Sequence, residues 1–515
     1  MKASHVALLA LAGMVLSSAT VYSLTPPGGA SAAITADPSR NDDDSTSIES
    51  VSGDAVGEVE LAHFTAGSTV MIEGRMGHPK VIRNPRGETF VMLEARATST
   101  ERARRAAPVN LSIVIDKSGS MKGSRLRNAV QAAVGAVERL QDGDMVSVVA
   151  FDTRMQLVAP LVTIGPSTRG SVIAAIRGIQ LGGDTCISCG IEGGMDELAR
   201  ATEGRVSRML VLSDGDANHG LRDVPGFRSL AQRAQTRGIS ISTIGVDVDY
   251  NEKILSAIAV ESNGRHYFVE NDAGLARVFE SEAESLTQAI ASGAEVDIEL
   301  GQGVELDRVF DRSFRRSGNR VTVPLGTFSS GDVKTVLLKV RLPSDSEGAL
   351  PVASIEMKYR DLVKDEEGRC SGKLGVEVVS SGASDLDAVV AGRVNRSETA
   401  AALKEANLLF QQGRVQEAER KLAERQQALL DTASKAKTAA PAARASDVAN
   451  DFEKQIAATE EARTGFAEPP PPVAATPIAG GFAQAPAAAA PAPTESRKAR
   501  STVRRNEANA SDFGF

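Results

Sequence analysis

The sequence contains no tryptophan and only 4 tyrosines, and with 15 phenylalanines its aromatic content is 4% of 515 residues. Stacking platforms for bases or sugars are therefore not expected. Three cysteines are too few for a disulfide-framework fold or a multi-cysteine zinc domain, and leave room for one local pair. Excess positive charge is missing too: 58 Lys and Arg against 66 Asp and Glu give a net charge of -8, which repels nucleic acid and acidic membranes. Nucleic acid is set aside as a partner. The chain also lacks a Gly-x-Ser-x-Gly elbow, a His-Glu-x-x-His pair and a phosphate loop ending in Gly-Lys-Ser/Thr, and it has 5 histidines. Neither an enzyme nor a small-molecule substrate is expected.

Lys2 precedes a short apolar stretch over residues 6–16, and Ser17, Ser18, Thr20 and Tyr22 follow, the layout of a secretory signal. The stretch falls short of the about 20 continuous apolar residues needed to cross a bilayer. Ala30, Ser31 and Ala32 offer a small-residue cleavage site, so residues 1–32 read as a signal peptide. Export to the periplasm, the cell surface or the medium follows. Membrane association would then need an uncleaved N-terminal segment or a partner.

An acidic linker over 33–55 leads into strand-like alternation within 56–107, at 56–61, 69–73 and 89–97. From 108 to 292 apolar strands at 109–115, 145–151, 209–212 and 239–246 alternate with helical stretches at 126–140, 221–236 and 273–291. Such alternation predicts a doubly wound α/β unit with a mainly parallel sheet. Alternation returns over 293–380, which predicts a β-sandwich, with the segment 56–107 as a candidate part of it. Residues 395–464 read as a helical region built on one hairpin around Gly413. Residues 465–515, beginning with the Pro469 to Pro472 run, have too few large apolar side chains to bury and are expected to be disordered. Arg497, Lys498, Arg500, Arg504 and Arg505 in that tail read as a solvated basic stretch.

Three loops carry the chemistry, each at the end of a predicted strand or the start of a helix, where open parallel sheets place ligands. Asp116, Ser118 and Ser120 emerge at spacing two; Thr185 follows Gly182, Gly183 and Asp184; Asp214 follows Ser213. Two carboxylates and three hydroxyls form an all-oxygen donor set that suits Mg²⁺, Mn²⁺ or Ca²⁺ and not zinc. The bland alternatives are helix capping by the two serines and an ordinary turn at Asp214. Their order along the chain, together with Gly245-Val246-Asp247 and the run from Gly264 to Val269, resembles the von Willebrand factor type A domain family and its metal-ion-dependent adhesion site. The resemblance covers about 108–291. It implies a Rossmann-like doubly wound fold, a metal held by Asp116, Ser118, Ser120, Thr185 and Asp214, and protein binding in place of catalysis.

The metal would capture an Asp or Glu offered by a partner protein, making the chain an adhesion or receptor-like module at the cell envelope. The other readings are a structural assembly factor of an envelope complex, with the metal secondary, and more remotely a metal-assisted hydrolase. Cys186 and Cys189 follow Thr185 directly, a departure from the family pattern. In an oxidising compartment they are expected to form a local disulfide. Cys370 is expected to be a buried free thiol.

Overall fold

A computed structural model describes residues 62–98, 108–202, 204–247, 250–270, 272–466 and 494–514. The signal peptide over 1–32, the linker over 33–55 and the strand expected at 56–61 lie outside the described residues. Among the described residues no helix is long and apolar enough to cross a membrane.

Strands β1 (His63–Gly67), β2 (Val70–Met76), β3 (Lys80–Ile82) and β4 (Asn84–Ala97) precede the α/β unit. After it come β11 (Ala289–Leu300), β12 (Glu305–Phe310), β13 (Arg315–Ser317), β14 (Arg320–Ser329), β15 (Val333–Ser344), β16 (Gly348–Asp361) and β17 (Glu366–Val379). Strands from both sets share two sheets, ordered β1-β2-β4-β15-β12 and β13-β14-β11-β16-β17-β3. The seam is the antiparallel pairing of β4 with β15, where Leu93 faces Val336 and Val91 faces Leu338. Alternate residues point inward, and Val91, Leu93, Val296, Ile298, Val323, Leu338, Ile355 and Met357 form one sandwich core. The α/β unit is therefore an insertion between two strands of a sandwich that the chain leaves after β4 and re-enters at β11.

The insertion is built from β5 (Val109–Asp116), α1 (Ser124–Arg139), β6 (Met145–Phe151), β7 (Met155–Thr163), α2 (Arg169–Arg177), α3 (Ile187–Leu198), β8 (Val206–Ser213), α4 (Val224–Thr236), β9 (Ile239–Val246), α5 (Glu252–Glu261), β10 (His266–Val269) and α6 (Asp272–Thr287). Its sheet runs β10-β9-β8-β5-β6-β7. All neighbours are parallel except β7, which returns antiparallel along β6. Every residue of β5 is buried, as a central strand covered on both faces requires. Leu126, Val137, Leu275 and Phe279 cover one face, and Ile187, Ile191, Phe227, Leu230, Leu255 and Ile258 cover the other. The chain builds β6 and β7 on one side of β5, then crosses to build β8, β9 and β10 on the other. That reversal puts a switch point at the C-terminal end of β5. The helix expected over 273–291 stops at Thr287, because Ala289 and Ala291 pair with Ser329 and Phe328 of β14 and begin the sandwich instead.

The C-terminal part holds more helix than the single expected hairpin. Asp387 caps α7 (Ala388–Gln411) by accepting from the amides of Val389 and Val390, so the helix starts before residue 395. Then follow α8 (Val415–Ala439), α9 (Ala445–Phe466) and α10 (Thr494–Gly514). Phe410 and Phe466 stack at 4.4 Å between ring centroids in one core. Leu429, Val448 and Phe452 pack instead with Met92, Phe310 and Leu337 of the sandwich.

The expected disorder over 465–515 is corrected for 465–466, which end α9, and for 494–514, where α10 packs Ala499, Val503, Ala510 and Phe513 into the helical core and docks through polar side chains as well; residues 467–493 and 515 lie outside the described residues. Arg504 donates to Glu252 at 2.7 Å and to the Tyr250 carbonyl at 2.6 Å. Asn506 donates to Asn407 at 3.0 Å, and Arg505 pairs with Glu461 at 2.5 Å. The basic stretch is thus partly an interface. The partners of α10, Glu252, Asn407 and Glu461, are spread over α5, α7 and α9, a convergence no local pattern encodes.

Burial and the nearby Glu507 push Glu252 from 4.5 up to about 8, against the pull of Arg504. The folded state keeps this proton at pH values where an exposed glutamate has lost it, so it binds more protons between 4.5 and about 8, and its stability falls as pH rises through that window. Hydrogen exchange, corrected for its intrinsic pH dependence, should show α10 losing protection from pH 5 to pH 8. Glu252→Gln should flatten that slope, whereas a flat profile in the unsubstituted chain contradicts the assignment.

Candidate metal centre

The site is assembled at the switch point from the loops that follow the parallel strands β5 and β8 and from the loop between α2 and α3. Asp116 is the last residue of β5 and is fully buried. Its Oδ1 accepts from the Ser118 amide at 2.8 Å and its Oδ2 from the Ser213 hydroxyl at 2.6 Å. A short 3-10 turn over Gly119–Met121 then carries Ser120 back over the strand end. Ser118 Oγ and Ser120 Oγ lie 3.0 Å apart, and Ser120 Oγ donates to Asp214 Oδ1 at 2.6 Å. Asp214 follows β8, the parallel neighbour of β5, and is also fully buried. Four of the five expected donors thus form one hydrogen-bonded string.

Thr185 reaches the same point from the loop before α3. The space that a Cβ at Gly215 would fill lies 3.3 Å from Ser120 Oγ and 3.7 Å from Thr185 Oγ1. Both hydroxyls therefore border one gap, kept open by the absence of a side chain at Gly215. The backbone of Thr185 is held on both sides: its amide donates to Asn218 Oδ1 at 2.7 Å, and its carbonyl accepts from the amides of Asn218 and His219, each at 3.1 Å. The loop before it is tied to the first loop, with the Gly182 amide 2.7 Å from the Lys117 carbonyl and the Gly119 amide 2.9 Å from the Gly183 carbonyl. Lys117 Nζ pairs with Asp152 at 2.6 Å, and Asp152 also accepts from the Gly183 amide at 3.2 Å. Asp216 and His219, the other polar residues of the third loop, are exposed.

Cys186 and Cys189 are joined by a disulfide across the first turn of α3, with their Cα atoms 5.3 Å apart. This bridge backs the third loop. A Cβ at Gly220 would lie 2.6 Å from Cys186 Sγ and 2.5 Å from Ser188 Oγ, and Gly220 has φ +69, so glycine serves both the close approach and the left-handed backbone. Cys370, in contrast, is buried and free in the sandwich.

Burial is the main cause that raises the Asp116 carboxyl to about 6, and the neighbouring Asp214 adds to it, while Ser118 and Ser213 oppose. Burial also raises Asp214, against its bonds to Ser120 and Arg125. Two buried carboxylates placed side by side disfavour their own ionisation, so this pocket favours positive charge. Among the described residues no three His, Cys, Asp or Glu side chains converge as a metal site, and the donors here are carboxylates supplemented by hydroxyls. Such a hard-oxygen set fits Mg²⁺, Mn²⁺ or Ca²⁺.

Sequence reasoning overlooked Ser213, Lys117, Asp152, Asn218 and Arg125 as parts of this centre. Ser213 could have been suspected from its place at the strand end beside Asp214. Arg125 could not, because its partners are 89 and 122 residues away along the chain.

Comparison with known proteins bears on the fold of the inserted unit. Residues 110–281 match the family model of the von Willebrand factor type A domain. A structure of von Willebrand factor type A from Catenulispora acidiphila has a TM-score of 0.63 at 16% identity, covering 79% of this chain and 91% of that one. An uncharacterised protein of Synechocystis sp. is 27% identical over 288 residues, 54% of this chain and 67% of that protein. An uncharacterised Escherichia coli protein is 26% identical over 220 residues, 42% of this chain, and the match spans 38% of its length. The inserted unit is a von Willebrand factor type A domain with the Rossmann-like α/β fold.

Helix α3 must lie close on the sheet for Thr185 to arrive at the gap, and glycines permit it. A Cβ at Gly190 would sit 2.5 Å from Phe151 Cδ1 and 2.9 Å from Val114 Cγ1. Gly190→Ala should therefore overpack this contact and destabilise the chain by about 1–3 kcal/mol in urea unfolding. An unchanged midpoint would contradict the tight α3–sheet contact.

Proposed function

We propose that the von Willebrand factor type A domain of this chain binds a divalent cation through Asp116, Ser118, Ser120, Thr185 and Asp214, and with it an acidic side chain of a partner protein. The convergence of Ser120 and Thr185 on the Gly215 gap, beside the Ser118–Ser120–Asp214 string, carries this reading. When bound, the cation would supply a positively charged position that a partner's Asp or Glu carboxylate can complete.

The protein's own residues set the conditions for that capture. Ser213 and the Ser118 amide hold Asp116 in one orientation, and Ser120 and Arg125 do the same for Asp214. The neutral hydroxyls contribute oxygen without charge, so two carboxylates leave a divalent ion only balanced, not saturated. The Lys117–Asp152 pair and the Cys186–Cys189 bridge hold the two loops that flank the opening. We read the domain as a binding module and not an enzyme, consistent with a family that often mediates adhesion between proteins. Export to the cell envelope is supported by the apolar stretch at 6–16 and by a disulfide, which persists in oxidising compartments.

Purified protein stripped of metal should gain thermal stability on addition of Mg²⁺ or Mn²⁺, by about 2.7 kcal/mol when the ion is present at a hundred times its dissociation constant. Asp116→Ala should abolish the gain. Indifference of the unsubstituted chain to Mg²⁺, Mn²⁺ and Ca²⁺ alike sinks the metal reading, and partner binding that survives chelation points to the assembly-factor role.

A further inference from the structure

Arg125 stands in the first turn of α1, nine positions after Asp116, and its guanidinium reaches across the centre. Nη1 donates to Asp214 Oδ2 at 2.8 Å and to the Ser120 carbonyl at 3.0 Å, while Nη2 pairs with Asp247 beyond the end of β9. Asp214 is fully buried, and the side chains of Asp247 and Arg125 are 11% and 27% exposed. Water therefore screens this cation weakly from the carboxylates around it.

We propose that Arg125 is a permanent counter-charge of the cation site: it weakens the hold on a resident divalent ion and strengthens the hold on the partner's carboxylate. The inference rests on the metal reading above and specifies which charges tune it. The guanidinium pairs with Asp214 and Asp247, and Asp116 lies beside Asp214, so these three carboxylates and one guanidinium carry a formal charge of -2 that a divalent ion cancels. A neutral assembly accepts an incoming carboxylate without net repulsion. With a neutral residue at 125 the same assembly would keep a negative charge, holding the ion more firmly and repelling the partner's acid.

A purely orienting role for Arg125 predicts the opposite sign. Removing an outer partner that only aligns a ligand typically weakens metal binding by about 10–100-fold. The experiment is a Mn²⁺ titration of the full chain, read as free Mn²⁺ by electron paramagnetic resonance, for the unsubstituted protein, Arg125→Gln, Arg125→Lys and Asp116→Ala. Circular dichroism checks that each variant is folded.

Arg125→Gln should bind Mn²⁺ about tenfold more tightly, the order expected for removing one partly buried charge, and Arg125→Lys should stay near the original affinity because it keeps the charge. In the Mn²⁺-loaded proteins acetate, standing in for a partner's carboxylate, should lower water-proton relaxation at smaller concentrations in the unsubstituted chain than in Arg125→Gln. Unchanged or weaker Mn²⁺ binding by Arg125→Gln, with binding lost in Asp116→Ala, overturns the counter-charge assignment alone. Equal binding by the unsubstituted chain and Asp116→Ala overturns the metal site and this inference with it.

Discussion

Two buried carboxylates at the ends of adjacent parallel strands are the constraint around which the inserted domain is arranged. Asp116 ends β5 and Asp214 follows β8, both in a place that water hardly reaches; burial raises both carboxyls, and Asp214 adds to the rise at Asp116. Every neighbouring feature answers that cost. Hydroxyls of Ser213 and Ser120 donate to the carboxylates, an amide donates to Asp116, and a guanidinium pairs with Asp214. The cation site proposed above draws on the same arrangement that makes the pair tolerable in the folded chain.

Around that centre the chain invests in rigidity. Loops that meet there are tied to one another by backbone bonds and by the Lys117–Asp152 pair, and a disulfide braces the first turn of α3 just after Thr185. The domain is inserted between β4 and β11 of one sandwich, and its last helix, α6, ends at Thr287, two residues before β11 begins in the sandwich core. Helix α10 adds a tie on another side: Arg504 grips the Tyr250 carbonyl and Glu252, and the intervening Asn251 donates to the Gly215 carbonyl at 3.5 Å, beside Asp214. The far C-terminal end of the chain is thereby physically continuous with the loop that carries the second carboxylate.

Local patterning determined much of this protein. Strands buried on both faces read as apolar runs, and the loops that follow them were visible as Asp, Ser and Gly clusters, because burial and turn chemistry leave their mark within a few residues. The five candidate oxygen donors could be named in order, and the cysteine pair stood out by its spacing of three. Antiparallel β7 was not legible, since its exposed Met155 and Leu157 break the expected alternation. Helix α10 was hidden for a related reason: its buried residues are mostly small, such as Ala499 and Ala510, and much of its docking is charge and amide pairing with residues far along the chain. Tertiary structure alone decided that strands before and after the domain share two sheets, that Arg125 spans Asp214 and Asp247, and that Gly215 leaves the gap on which two hydroxyls converge. Those facts depend on contacts between distant segments, which close only when the whole chain packs and which no short window of sequence contains.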